Sequence, residues 1–143
     1  MRFNPYAPPA IRGLGASEQN TSFIDTPRFH RIEIELAASE FVRDRASEFS
    51  DEGDFILRAI SIASFTGAFS VQFTDANGYA MSNTLIDHYS FLGANNSPVP
   101  FVVFPEVVFP KSSKISLSIL NKTAAPNTVV FLLHGVMRAQ VLR

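Results

Sequence analysis

From Phe29 onward the chain alternates. Arg31-Ile32-Glu33-Ile34-Glu35-Leu36 sets charged and apolar side chains strictly in turn, the period-two signature of a half-buried strand with Ile32, Ile34 and Leu36 inward. Ala68–Thr74 does the same, with Phe69, Val71 and Phe73 opposite Ser70, Gln72 and Thr74. Lys114–Leu120 repeats it, with Ile115, Leu117 and Ile119 opposite Ser116 and Ser118. Phe55–Ala63 and Thr128–Leu133 are apolar at nearly every position, as central strands covered on both faces are, and the second pattern runs on to Met137. Asn77-Gly78 predicts a type I′ hairpin with positive φ at both central positions and Tyr79–Ser82 as the return strand. Ala37–Phe49 reads as a helix or an irregular excursion. There the quartet Ala-Ser-Glu-Phe occurs at 38–41 and 46–49, and Ser39 is placed to cap a short helix carrying Phe41, Arg45 and Phe49. Turn signals separated by about 8–12 residues are the mark of an antiparallel sandwich. The expected fold class is all-β, an antiparallel β-sandwich or jelly-roll-like domain over residues 29–143.

Residues 1–28 break this pattern. Pro5, Pro8, Pro9 and Pro27 with Gly13 and Gly15 leave neither periodicity, so the segment is expected as an extended N-terminal arm. Phe3, Tyr6, Ile11, Leu14, Phe23 and Ile24 are scattered through it. A purely solvated tail has no use for such residues, so an arm that docks its aromatics on another surface stands as the alternative to plain disorder.

Composition sharpens the question of surface. The 143 residues hold 12 Lys+Arg and 13 Asp+Glu, a formal charge of −1. A chain so balanced exerts no long-range attraction on nucleic acid or anionic lipid, so neither is expected as a partner. No segment reaches the ~20 apolar residues of a membrane span. There is no cysteine, which excludes disulfides, thiolate metal sites and cysteine nucleophiles. Charged residues make up only 17%, against about 25% on average, and they are unevenly placed. Ala59–Pro110 contains no Lys or Arg and only Asp75, Asp87 and Glu106. Two readings follow. Either the outer faces there are neutral Ser, Thr and Asn, or they are covered by neighbouring subunits, since interface cores are depleted in charge.

Val102-Val103-Phe104-Pro105-Glu106 is followed at once by Val107-Val108-Phe109-Pro110-Lys111. Proline donates nothing to a sheet ladder, so the repeat belongs at an edge or bend. On one continuous strand Phe104 and Phe109 would face opposite ways; a bend at Pro105 would bring them together. The repeat is then either an edge protected by its prolines or an apolar ridge for a neighbour. The candidate interface residues are Phe3, Tyr6 and Phe23 of the arm with Phe104, Pro105, Phe109 and Pro110 of the ridge.

Chemistry is poorly signalled. His30, His88 and His134 lie far apart, without the spacing of metal ligands. Asp87-His88 has the composition of an acid–base pair, but adjacent strand residues point to opposite faces. The turn Asp51-Glu52-Gly53-Asp54 lacks a calcium-loop pattern, G-x-S-x-G is absent, and Gly13-x-Gly15 is too short to cradle phosphate. A sugar platform would rest on aromatic side chains, but there is no Trp and Tyr is confined to Tyr6, Tyr79 and Tyr89. No catalytic, cofactor or metal residues are expected.

The C-terminal half, Pro110-Lys111-Ser112-Ser113-Lys114-Ile115-Ser116-Leu117-Ser118-Ile119-Leu120-Asn121 and then Thr128-Val129-Val130-Phe131-Leu132-Leu133-His134-Gly135, resembles the closing hairpin of small β-sandwich virion structural proteins of tailed bacteriophages. Phe55–Ile60, Thr66–Phe69, Thr74–Gly78 and Pro98–Pro110 fit the same arrangement, so the likeness covers roughly 55–137. The resemblance implies a non-enzymatic capsid decoration or cement protein, located in the virion and made in the host cytoplasm. Its partners would be the major capsid protein or other virion proteins, together with copies of itself, a trimer being favoured. A neck or tail adaptor and a carbohydrate-binding β-sandwich module are the alternatives.

Overall fold

The computed structural model describes residues 21–142 as eight antiparallel strands. They are β1 (Thr21–Leu36), β2 (Phe41–Glu48), β3 (Asp54–Ser64), β4 (Phe69–Thr74), β5 (Ile86–Asp87), β6 (Phe101–Phe109), β7 (Lys114–Asn121) and β8 (Asn127–Leu142). One sheet runs β1-β8-β3-β6 and the other β2-β7-β4-β5. Every connection except β4 to β5 crosses from one sheet to the other, so the chain wraps as a jelly roll. The all-β sandwich expected from the alternation is the fold.

Ile32, Ile34 and Leu36 of β1, Phe69, Val71 and Phe73 of β4, and Ile115, Leu117 and Ile119 of β7 are all buried between the sheets. Phe131 of β8 lies at the centre, edge-on to Phe69 and Phe73 with ring centroids 5.7 and 5.3 Å away. Such aromatic pairs add about 0.5–1.5 kcal/mol each beyond their area. At one end of the sandwich two buried amides replace apolar packing. Asn127 accepts from the Thr66 amide and hydroxyl and donates to the Gly67 carbonyl, at 2.8–3.0 Å. Asn121 donates to the carbonyls of Ala37 and Ala125 and accepts from Thr123. Together they tie three loops to one point.

Five local expectations are corrected. Residues 41–48 form β2, not a helix. A bulge at Arg43-Asp44 shifts the register against β7, with Asp44 at φ 52° and its amide bonded to Ser118 Oγ. That extra residue spoils the alternation and gives a false helical spacing. Ser39 sits at φ 56° in the turn before β2 and caps nothing. In the Asn77-Gly78 turn only Gly78 has positive φ, because Asp75 Oδ1 accepts the Asn77 and Tyr79 amides and holds a different turn. Tyr79–Ser82 makes only the single bridge Thr74↔Ala80, and β4 pairs instead with β5. Finally, residues 21–28 of the expected arm belong to β1, paired residue by residue with Gly135–Leu142. Pro27 is tolerated there because β1 is an edge strand whose free side needs no donor. Residues 1–20 lie outside the described residues.

Candidate functional site

The two sheets differ on their solvent faces. On β4 and β7 the outward positions Ser70, Gln72, Thr74, Ser116 and Ser118 make a neutral polar surface, with Lys114 and Leu120 at the two ends of β7. The outer face of the β1-β8-β3-β6 sheet carries a largely apolar band between charged positions. Core residues Phe131 and Leu133 point inward from β8, so His134 and Val136 point out. The register then aligns Phe29, His134, Ala59 and Val102 in one row across all four strands. Pro27, Val136, Ile56 and Val108 make a second row, in which Ile56 is only 1% exposed. Phe29 is 60%, Val102 71% and Val108 51% exposed. Three strand spacings make this band roughly 14 Å wide. The neutral polar reading of the charge-poor stretch therefore fits the second sheet, while the first presents exposed apolar side chains.

Ion pairs border the band. Beyond one row, Arg31 pairs with Glu33 at 3.0 Å. Beyond the other, Arg138 donates two hydrogen bonds to Asp25, at 2.8 and 2.9 Å. The guanidinium bond holds the Asp25 carboxyl below its ordinary range and raises Arg138 in turn. Arg58 and Glu106 form a third pair, at 2.9 Å, on the β6 side. An apolar centre with a charged rim is the anatomy of a protein contact.

The tandem repeat lies in β6, at the edge of this sheet. Leu57 pairs with Val107 and Ala59 with Val102, so Val103–Glu106 bulge out opposite the single residue Arg58. Phe104 rides on that bulge and is 91% exposed. Phe109 is 0% exposed, with its ring 4.8 Å from that of Phe49 in the core. Phe109 is thus a core residue and not part of any surface, which corrects its place among the interface candidates. The bulge changes the count between the two phenylalanines without turning them to the same side. Pro105 and Pro110 are exposed, and Phe23 is exposed on the part of β1 that runs past the end of β3. Phe3 and Tyr6 lie outside the described residues. On the other side of β3, Gly135 of β8 pairs with Leu57, the residue before Arg58, and any Cβ at Gly135 would collide with the Ile56 carbonyl oxygen.

Phe29 was not singled out by the sequence, and Val102 and Val108 entered only as members of the tandem repeat and not as interface candidates, although one signal pointed to Phe29. With Ile32, Ile34 and Leu36 inward, odd-numbered positions of β1 face out, and an outward phenylalanine among Arg31, Glu33 and Glu35 is anomalous. Val102 and Val108 carried no such signal, because their face depends on the bulge.

The histidines are built into packing. A 2.5 Å hydrogen bond joins His134 Nε2 to Ser61 Oγ, and Phe29 packs edge-on to the ring. His30 Nε2 lies 2.7 Å from Ser47 Oγ with its ring against Phe49, and burial holds its pKa below the ordinary 6.5. His88 Nδ1 lies 2.8 Å from Asp87 Oδ1, which corrects the expectation that the two point apart. The chain leaves β5 at Asp87 and enters a 3₁₀ turn over His88–Phe91, so strand alternation ends there. The contact lies off a hydrogen-bonding direction and Nδ1 is left without a hydrogen bond. The Asp87 carboxylate is held low chiefly by its 2.9 Å bond from Lys122. Among the described residues no hydroxyl bonds to His88, neither Ser–His pair has a carboxylate oriented on it, and no group of three His, Asp or Glu side chains is placed to hold a metal ion. In the acidic turn, Glu52 faces Arg28 and Asp54 accepts the Lys111 amide.

The chain matches no protein-family model, and no curated protein is significantly similar to it.

Proposed function

We propose that this chain is a non-enzymatic structural protein of a virus particle, of the capsid decoration or cement type, that binds neighbouring subunits through the outer face of the β1-β8-β3-β6 sheet. The observation that carries the reading is the two-row apolar band, flanked by the almost fully exposed Phe104 and bordered by ion pairs. A soluble monomer gains nothing from such a surface, whereas a subunit buries it on its neighbours. The jelly-roll topology and the resemblance of residues 55–137 to small virion proteins of tailed bacteriophages agree with this. On a symmetric lattice, many copies multiply a modest contact into firm attachment.

Light scattering on the full-length protein tests the proposal, together with co-sedimentation on purified capsids. The expected mass is a multiple of 15.8 kDa, a trimer being favoured, with Phe104→Glu reducing both association and co-sedimentation. A monomer at every concentration, with no Phe104-dependent co-sedimentation, overturns it.

A further inference from the structure

Two open sheets have four edge strands, and three of these edges are blocked. On β6 the exposed Pro105 and the Val103–Glu106 bulge split the pairing with β3 into two short pieces. β5 has only two residues. β2 carries the Arg43-Asp44 bulge, with Asp44 in the left-handed region. Such devices keep an edge from recruiting another strand. β1 is the exception. It pairs with β8 over 16 residues without a register shift, and among the described residues its other side has no ladder partner. From Arg28 to Leu36 it has neither proline nor bulge, which leaves roughly 30 Å of unbroken edge.

An edge of this kind accepts a strand, and its side chains say which. Pro27 has no N–H and turns its ladder groups away from β8. Alternation then turns those of Phe29, Arg31, Glu33 and Glu35 to the free side as well. Arg31 and Glu33 lie on the outer face, 3.0 Å apart. An antiparallel second copy with Ile32 opposite Ile32 sets Arg31 against Glu33 of that copy, and Glu33 against its Arg31. Two cations and two anions then alternate around a square, and opposite charges directly across a strand pair attract. The smallest slide that keeps free-side groups facing each other is two residues. In one direction it puts Arg31 on Arg31, and in the other Glu33 on Glu33. Sliding farther toward Thr21 brings Pro27 into the ladder.

We infer that β1 pairs antiparallel with β1 of a second copy over residues 28–36, joining the β1-β8-β3-β6 sheets of two chains into one eight-stranded sheet about a two-fold axis at Ile32. Phe29 and Glu35 of the two copies complete the ladder. Four bonded pairs exchanging two hydrogen bonds each make about eight. The edge contact is separate from the outer-face assembly proposed above and does not depend on it. The chain preceding Thr21 fits this edge poorly. A hairpin back along β1 would bring residues 12 and earlier opposite 28–36, and Pro5, Pro8 and Pro9 there have no amide to donate.

The test uses full-length chains carrying Phe104→Glu, which weakens the outer-face contact and leaves the edge intact. Sedimentation equilibrium should give twice the chain mass of 15.8 kDa. Arg31→Glu or Glu33→Arg alone places like charges across the axis and should weaken pairing at least about tenfold. Mixed in equal amounts, the two variants should pair again to within about threefold of the parent, since one then carries only anions at 31 and 33 and the other only cations. Recovery on mixing cannot arise from misfolding of either variant. Hydrogen exchange at the amides of Phe29, Arg31, Glu33 and Glu35 should slow with association. The mass of one chain at every concentration, charge swaps without effect, or no recovery on mixing overturns the inference. So does protection of those amides at the mass of one chain, which would mean that the chain's own residues cover the edge. The two contacts fail separately. Without the Phe104→Glu background, association lost on Phe104→Glu but unmoved by the swaps leaves only the outer-face proposal standing, and the reverse leaves only the edge pairing.

Discussion

Phe104 and Phe109 have the same local sequence, Val-Val-Phe-Pro, and opposite surroundings, so replacing each in turn by alanine separates fold from contact. Phe109 is fully buried and touches Phe49, so Phe109→Ala removes a core ring and leaves a cavity, at a cost of about 3–5 kcal/mol. For a domain of this size each kcal/mol lowers Tm by about 3 °C, which predicts a drop of about 9–15 °C. Phe104→Ala removes a ring with almost no neighbours in the monomer and should shift stability by no more than about 0.5 kcal/mol. Its effect belongs to association. An exposed phenylalanine offers about 200 Å² of surface, so its burial sets a ceiling near 5 kcal/mol at about 25 cal/mol per Å². An aromatic anchor at an interface loses about 2–4 kcal/mol on truncation, which weakens binding by about 30- to 1000-fold. With no Trp in the chain, far-UV circular dichroism in urea is the stability assay, and sedimentation equilibrium the association assay. If Phe104→Ala costs as much stability as Phe109→Ala, or leaves the association constant unchanged, the reasoning about this surface is wrong.

Two further outcomes are expected. Asn127→Ala strips partners from the Thr66 amide and hydroxyl and the Gly67 carbonyl; at about 1 kcal/mol per hydrogen bond the loss is about 3 kcal/mol, read from the urea midpoint and from faster hydrogen exchange at the Thr66 amide. For His30, burial lowers the folded-state pKa below 6.5, so as pH falls below that value the unfolded chain takes up a proton that the folded chain resists. The stability due to neutral His30 is complete above pH 6.5 and is lost as pH falls through the folded pKa. The urea midpoint should therefore drop from pH 7.5 to 5.5, and less so in His30→Gln; equal drops in both proteins would refute this.

Three strands were readable because their information is local. In β1, β4 and β7 an inward residue alternates with an outward polar one, and period-two alternation needs no knowledge of a partner. β2 was misread because Asp44, in a left-handed bulge, adds a residue that only the pairing with β7 accommodates. β5 was missed because two residues carry no period. The first half of β1 was hidden by Pro27, which reads as a breaker until the strand is known to be an edge with its free side unpaired. The Asp87–His88 contact was dismissed for a related reason, since the alternation assumed for the pair stops at the 3₁₀ turn.

For the candidate surface the division is sharper. Composition and period are properties of the chain alone, and they suffice to make this a charge-poor all-β chain with two apolar, proline-ended repeats. Which of the uncharged residues face water was decided only by tertiary structure. The pairing of β1, β8, β3 and β6 assembled Phe29, Val102 and Val108 from distant segments into one band. The bulge opposite Arg58 sent one copy of Val-Val-Phe-Pro outward while its twin entered the core. Identical local sequences met different fates because burial depends on what lies across the sheet, and no stretch of five residues carries that information.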